Sequence, residues 1–425
     1  METINELESQ VRGYVRSFPV VFQWGKGVRM HTEDDVDYLD FFSGAGALNY
    51  GHNPDPLKQP LLDYIQADGV THSLDMASNT KSKFLETFNE VILQPRGMEY
   101  KMQFPGPTGT NAVEAALKLA RKVTGRERIV SFTNAFHGMT LGALAVTGNA
   151  FKRAGAGVPL GHATSMPYCG YFDDETDTAA YLEAMLEDSS SGLDKPAAVI
   201  LETVQAEGGI NVAEMEWLQR IEKICRDHDL LLIVDDIQAG VGRTGPFFSF
   251  EPAGIKPDLI CLSKSLSGYG LPLALTLIRP DLDEWAPGEH NGTFRGNNLA
   301  FVTSTHAIKH YWSDDALEKD ILRKGEIVRE RLQKMIARFP EFKASVRGRG
   351  LINGIDCEPA EVANEVTAGC FKRHLLMETS GASDNVIKVM PPLIVDDADL
   401  KMGLDILEES LEEVLRQRGI AKGAA

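Results

Sequence analysis

Leu230-Leu231-Leu232-Ile233-Val234-Asp235-Asp236-Ile237-Gln238-Ala239-Gly240-Val241-Gly242-Arg243-Thr244-Gly245 decides the fold. A short apolar run without alternation, ending in carboxylates and a glycine-rich turn, is the pattern of a strand buried on both faces of a parallel sheet. Residues 197–201 repeat it and lead into Glu202-Thr203-Val204-Gln205-Ala206-Glu207-Gly208-Gly209. Leu259–Leu262 repeat it again and lead into Ser263-Lys264-Ser265-Leu266-Ser267-Gly268, and residues 273–278 read as a fourth run.

Between such runs the apolar spacing turns helical. Asn111 is expected to cap a helix with Glu114 as its capping-box partner, Ala112, Val113, Ala116, Ala120 and Val123 on one side, and Gly125 as the stop. Residues 128–132 then read as a strand. Trp217, Leu218, Ile221, Ile224 and Cys225 form the stripe of a second helix over residues 214–228. Strands separated by helices predict a doubly wound α/β domain over about residues 60–300. Beyond it, residues 314–339 are strongly helical, and residues 342–356 and 386–392 read as strands of a smaller α+β part. The N-terminal stretch 20–42 is expected to join that part. The expected division is therefore a segment 1–60 contributing to the small domain, a large domain 61–300 and a small α+β domain 301–425.

The 425 residues include 43 Lys and Arg against 61 Asp and Glu, a net charge of −18. That balance repels phosphate backbones and anionic lipid, which argues against a nucleic acid or a membrane as partner. The five cysteines are odd in number and lack C-x-x-C spacing, so neither a disulfide framework nor a zinc site is expected. The acidic start has no apolar stretch of a signal peptide, and no apolar run approaches the roughly 20 residues that span a bilayer. A cytoplasmic protein handling small molecules is expected.

Ligands of open α/β sheets bind beyond the carboxyl ends of the strands. Three strands here deliver the acids Glu202 and Glu207, Asp235, and Lys264 to one such edge. Singly, each residue has an ordinary reading, as a solvated charge or a turn cap. Together they meet the needs of an aldehyde cofactor such as pyridoxal phosphate, which requires an amine for covalent attachment and a carboxylate for its pyridinium nitrogen. Pro105-Gly106-Pro107-Thr108-Gly109-Thr110, ahead of the predicted helix, offers N–H groups and hydroxyls to a phosphate, and it also suits an ordinary turn. Competing motifs fail. The stretches 44–49 and 348–353 begin like G-x-G-x-x-G but end on Asn, and no P-loop, G-x-S-x-G or H-E-x-x-H occurs.

The segments 235–245, 263–268, 202–209 and Phe136-His137-Gly138-Met139-Thr140 resemble, in order and over nearly the whole chain, the signature stretches of class III (ω-amino acid) aminotransferases. The segments 41–52, 71–76, 104–114 and 151–157 resemble the branch of that family which transaminates diaminobutyrate with 2-oxoglutarate in the ectoine pathway. The resemblance implies pyridoxal-phosphate fold type I, with a large, mostly parallel-sheet α/β domain and a smaller α+β domain. It implies transfer of an amino group from glutamate to L-aspartate 4-semialdehyde, giving 2-oxoglutarate and L-2,4-diaminobutyrate. Another ω-aminotransferase (for 4-aminobutyrate, N-acetylornithine or siderophore-pathway diaminobutyrate) and a non-catalytic binding protein on the same fold are the alternatives.

By the same resemblance Lys264 and Asp235 are catalytic: Lys264 carries the cofactor and shuttles a proton, and Asp235 holds the pyridinium proton. Gln238 contacts the ring hydroxyl, Phe136 stacks on the ring with His137 beside it, and Gly109 and Thr110 hold the phosphate. Thr293 reaches that phosphate from a partner subunit, which implies at least a homodimer with shared sites. Glu207 is the gate of the substrate site. Two positions depart from many relatives. Lys388 stands where an arginine would clamp a carboxylate bidentately, which lysine cannot do, and Met139 stands where 4-aminobutyrate and ornithine enzymes often carry arginine.

Overall fold

The computed structural model describes residues 1–172 and 176–420. Its centre is a seven-stranded sheet made of β1 (Lys101–Gln103), β2 (Ile129–Phe132), β3 (Ala163–Met166), β4 (Ala198–Leu201), β5 (Leu231–Asp235), β6 (Leu259–Leu262) and β7 (Leu275–Ile278), in the order β1-β7-β6-β5-β4-β2-β3. β5 pairs parallel with both β4 and β6, and β2 pairs parallel with β3 and β4. β7 runs antiparallel to β6 and to β1.

The apolar runs are strands for the expected reason: β2, β4, β5, β6 and β7 are buried at every position. Their side chains alternate between two cores. Leu232 and Val234 join Val199, Leu201, Ile260 and Leu262 on one face, while Leu231 and Ile233 join Ala198, Ile200, Leu259 and Cys261 on the other. Helix α1 (Gly109–Thr124) covers the second face with Val113, Leu117 and Ala120. Helices α2 (Met215–Asp227) and α3 (Asn298–Tyr311) cover the first with Trp217, Ile221, Phe301 and Ile308.

The start of α1 differs from expectation. Thr108, not Asn111, is the N-cap, and Asn111 at the third helical position closes the capping box with it. Glu114 is thereby released from capping α1. Its carboxylate instead accepts from the Gly142 and Ala143 amides at 2.9 and 3.1 Å, and so caps the short helix Leu141–Ala145. Gly125 ends α1 at φ +66°, as expected.

A second core gathers Leu39 and Phe41 from the N-terminal region with Ile321, Val328 and Leu332 of α4 (Ala316–Ala337), Ile355, Leu375, Ile387 and the long C-terminal helix α5 (Asp397–Gln417). Strand Asp37–Asp40 pairs parallel with Leu375–Leu376, which ties the beginning of the chain to its end. Beside them, Lys343–Arg349, Ile352–Glu358, Val386–Val389 and Glu378–Ser380 form an antiparallel sheet in that order. Arg243, fully buried, joins the two bodies. Its Nη1 donates to Leu351 O and Pro391 O, and its Nη2 donates to Asn49 Oδ1. Gly350, at φ +59°, lies against the Thr244 backbone so closely that a Cβ would sit 2.5 Å from Thr244 C, so this meeting of loops requires glycine.

Candidate active site

The carboxyl ends of β4, β5 and β6 meet the loop after β2. Asp235 ends β5, and its Oδ2 lies 2.7 Å from His137 Nδ1 while its Oδ1 accepts from the Ile237 amide at 3.2 Å. Thr147 Oγ1 receives the His137 amide at 3.0 Å, and His137 Nε2 is buried with no partner among the described residues. Lys264 follows β6. Its backbone stands at φ +49°, a conformation costly to a side chain with a Cβ and typical of residues held for function. Burial lowers its pKa to about 8, with Glu207 opposing and Lys388 assisting. Ser265 fixes the next residue through Oγ bonds to Gly46 O at 2.7 Å and from the Asn49 amide at 3.0 Å.

Glu202, at the end of β4, accepts the Phe136 amide at 3.0 Å. Burial and then the charge of Asp235 raise its pKa well above the usual carboxylate value. Beyond it, the hairpin Val204–Gln205 and Asn211–Val212 presents Glu207. Gln238 Nε2 donates to Ala45 O at 2.7 Å and to Glu207 Oε1 at 3.2 Å, so the side chain links the N-terminal turn to Glu207. Lys388 Nζ lies 2.8 Å from Glu207 Oε1 and 2.9 Å from Glu378 Oε1, and the lysine is 0% exposed. Burial acts to raise the pKa of Glu207, but the charges of Lys388 and Lys264 prevail and hold it low. Burial raises that of Glu378 despite Lys388.

Gly109 and Thr110 open α1, a 16-residue helix whose first N–H groups and positive end suit an anion. Neither glycine nearby leaves room for a side chain: a Cβ on Gly109 would lie 2.9 Å from Ile237 Cδ1, and one on Gly138 would lie 2.4 Å from Thr110 Oγ1. Thr110 Oγ1 lies 2.6 Å from Thr140 Oγ1. A helix start suited to an anion, a carboxylate with an orphaned imidazole and a desolvated lysine amine are the groups that pyridoxal phosphate requires, and they fit it. Thr293 is not brought to them. It sits on an exposed loop whose carbonyl lies 2.9 Å from His72 Nε2. Among the described residues no cluster of His, Cys, Asp or Glu could hold a metal ion.

The sequence profile of the family described as aminotransferase class-III matches residues 11–411. The chain belongs to the class-III aminotransferases. Aminotransferases of this class are pyridoxal-phosphate enzymes, and the site around Lys264 is where such a cofactor fits. A curated diaminobutyrate–2-oxoglutarate transaminase of Nocardia farcinica is 61% identical over 408 residues, covering 96% of this chain and 93% of the relative. A protein of the same name from Halalkalibacterium halodurans is 59% identical, covering 98% of each chain. Among solved structures, an ornithine aminotransferase from Toxoplasma gondii, 27% identical, superposes with a TM-score of 0.86 over 98% of this chain and 94% of its own. An S-selective transaminase from Arthrobacter sp., 21% identical, has the same fold, with a TM-score of 0.87 over 98% of both chains.

Reading the sequence missed several residues at the class-III site. Glu378 was legible in principle, because Gly381-Ala382-Ser383-Asp384-Asn385 is a turn cluster between two apolar segments, and a hairpin there sets Glu378 opposite Lys388. Tyr14, a half-exposed residue whose phenol is pushed to a higher pKa by the local desolvation of its hydroxyl and then by the charges of Glu378 and Glu207, carries no local signal. Neither does Arg243, whose partners come from three distant segments.

Proposed function

We propose that this aminotransferase moves an amino group from glutamate to L-aspartate 4-semialdehyde, reversibly, giving 2-oxoglutarate and L-2,4-diaminobutyrate, as the first step towards ectoine. What carries the reading is the identity of 59% and 61%, over nearly the whole chain, with two relatives that bear that reaction in their name. Bound pyridoxal phosphate supplies an electrophilic carbonyl and an electron-withdrawing ring. Lys264 holds the cofactor and, as a free amine, moves the proton at the carbon that bears the reacting nitrogen. Its lowered pKa leaves a substantial neutral fraction near pH 8. Asp235 holds the proton of the ring nitrogen, with His137 orienting its carboxylate. Phe136 stacks on the ring, Gln238 meets its hydroxyl, and Gly109 and Thr110 bind its phosphate.

In one half-reaction Glu207 covers Lys388. In the other it withdraws, and Lys388 meets a carboxylate of glutamate or 2-oxoglutarate. The enzyme works in the cytoplasm as a homo-oligomer, at least a dimer, in which Thr293 of a second copy completes the phosphate site. Among the described residues no helix is long and apolar enough to cross a membrane.

The test is donor profiling by half-reaction. Purified enzyme mixed separately with glutamate, diaminobutyrate, 4-aminobutyrate, ornithine and N-acetylornithine is followed by cofactor absorbance. Glutamate and diaminobutyrate should convert it with the highest rate over dissociation constant. A wild-type enzyme that prefers 4-aminobutyrate or ornithine to diaminobutyrate refutes the substrate assignment.

A further inference from the structure

Beside Glu207 opens a cavity of about 510 Å³, lined by the N-terminal residues Tyr14 and Arg16, by Lys152, and by the acids Glu207, Glu378 and Asp384. The cations in and beside it differ in availability. Arg16 turns its guanidinium back onto Arg12 O and onto Gln10, and Lys388 is buried between Glu207 and Glu378. Lys152 has no carboxylate partner among the described residues. Its Nζ instead lies 4.2 Å from the centroid of the Phe136 ring, a cation–π contact at a half-buried position. Met139, on the same loop as Phe136, is 54% exposed and brings no charge.

The same cavity is also lined by acids. Glu207 and Glu378 share the single ammonium of Lys388, so two carboxylates meet one fixed cation. Tyr14 adds a hydroxyl close enough for both acids to act on it. A cavity lined both by an ammonium without a carboxylate partner among the described residues and by an excess of carboxylates complements a zwitterion, namely the α-carboxylate and α-ammonium of an amino acid whose far end is reacting. An ω-amine substrate presents that head when its terminal nitrogen is at Lys264.

Resting on the reading of the substrate as diaminobutyrate, we propose that Lys152 is the specificity-determining cation for the α-carboxylate of the diamino acid. Glu378, with Tyr14, receives its α-ammonium. The head is thus read by residues outside the cofactor cradle, and Lys152 is poised by Phe136 rather than by a salt bridge that substrate would have to break.

Three amines that react at the same end separate the two contacts. Diaminobutyrate carries both head groups, 4-aminobutyrate only the carboxylate, and 1,3-diaminopropane only the second ammonium. Dissociation constants and limiting rates are read from cofactor absorbance in the single half-reaction. In Lys152→Met, which keeps an apolar chain on Phe136, the constants for diaminobutyrate and 4-aminobutyrate should rise about tenfold or more, as for a lost charge-assisted hydrogen bond. The limiting rates should change little, and 1,3-diaminopropane should bind as in wild type. Glu378→Gln should show the complementary pattern, weakening both diamines and sparing 4-aminobutyrate. Lys152→Arg should restore the carboxylate preference. If Lys152→Met weakens all three amines equally, or none, the assignment is overturned while normal wild-type turnover of diaminobutyrate leaves the proposed function standing. A wild-type enzyme that refuses diaminobutyrate overturns both.

Discussion

Glu378 stands directly across a strand pair from Lys388, and Glu207 reaches the same ammonium from the hairpin that follows β4. Register on one sheet and a hairpin on another therefore bring two acids to one buried base. The arrangement is asymmetric: Glu207 is held ionised by Lys388 and Lys264 against its burial, whereas burial prevails at Glu378 and raises its pKa. Glu207 can leave without stranding Lys388, because Glu378 remains 2.9 Å away.

Lys388→Met should therefore cost stability heavily, since it leaves two buried acids with no cation. Breaking a buried pair by removing one partner costs about 3–5 kcal/mol. Adding Glu207→Gln to it should recover part of that loss, so that the double mutant is more stable than the sum of single effects. Denaturant midpoints of the four holoenzymes check this. Strict additivity would show that Lys388 does not balance Glu207.

Lys264 should take up cofactor at a pH set by its surroundings. Burial favours its neutral form, and the neutral amine is the nucleophile, so the uptake rate should rise with pH and level off above about 8 rather than above the ordinary 10.5. Glu207 favours the charged form, so Glu207→Gln should move the midpoint lower still. Rapid mixing of cofactor-free enzyme with pyridoxal phosphate across a pH series measures both. A midpoint near 10 would mean that the lysine is solvated.

Asp235→Asn keeps the shape of the turn and still accepts from the Ile237 amide, but it removes the charge beside His137 that we propose faces the ring nitrogen. A hydrogen bond to a charged group contributes roughly 1.5–3 kcal/mol, so cofactor should dissociate about tenfold to a hundredfold more readily. Equilibrium dialysis reads this without turnover. Unchanged retention would reduce Asp235 to a cap.

The parts of this enzyme legible in its sequence are those where one physical demand acts alone. Residues 197–201, 230–234 and 259–262 must be apolar throughout because both faces of β4, β5 and β6 are covered, and the side chains that follow, Glu202, Asp235 and Lys264, then fall at one edge. The edge strands β1 and β3 lack that demand: Lys101-Met102-Gln103 and Ala163-Thr164-Ser165-Met166 are partly exposed and carry no continuous apolar run to mark them. Asn111 was misread because two residues could cap α1, and Thr108 allows the helix to begin earlier and free Glu114. Lys152, Tyr14 and Glu378 meet only through tertiary packing, since they come from three regions of the chain. The likeness to a family could supply Glu207 and Lys388, but not the residues that surround them.

Arg243 offers a test of how the two bodies of the fold are held around the site. It is fully buried, and burial lowers its pKa to about 9. Its guanidinium bonds to Leu351 O at 2.9 Å, Pro391 O at 2.6 Å and Asn49 Oδ1 at 2.6 Å. Leucine 351 returns its amide to Arg243 O at 3.0 Å, and Asn49 O receives the Leu393 amide at 2.7 Å, so the loop after β5, the N-terminal turn and the small sheet form one unit. Lysine keeps the charge but not the planar fork, and it cannot satisfy three acceptors in those directions. Arg243→Lys should therefore lose roughly 1.5–3 kcal/mol for each acceptor left unpaired. The loss should appear as a lower thermal midpoint and as faster amide exchange at Leu351 and Leu393, with exchange in β4 and β5 little changed. Because Asn49 also donates its amide to Ser265, next to Lys264, a modest fall in turnover should accompany it. A lysine variant as stable as wild type, with protected amides at both leucines, would show that charge alone joins the bodies and that the fork is dispensable.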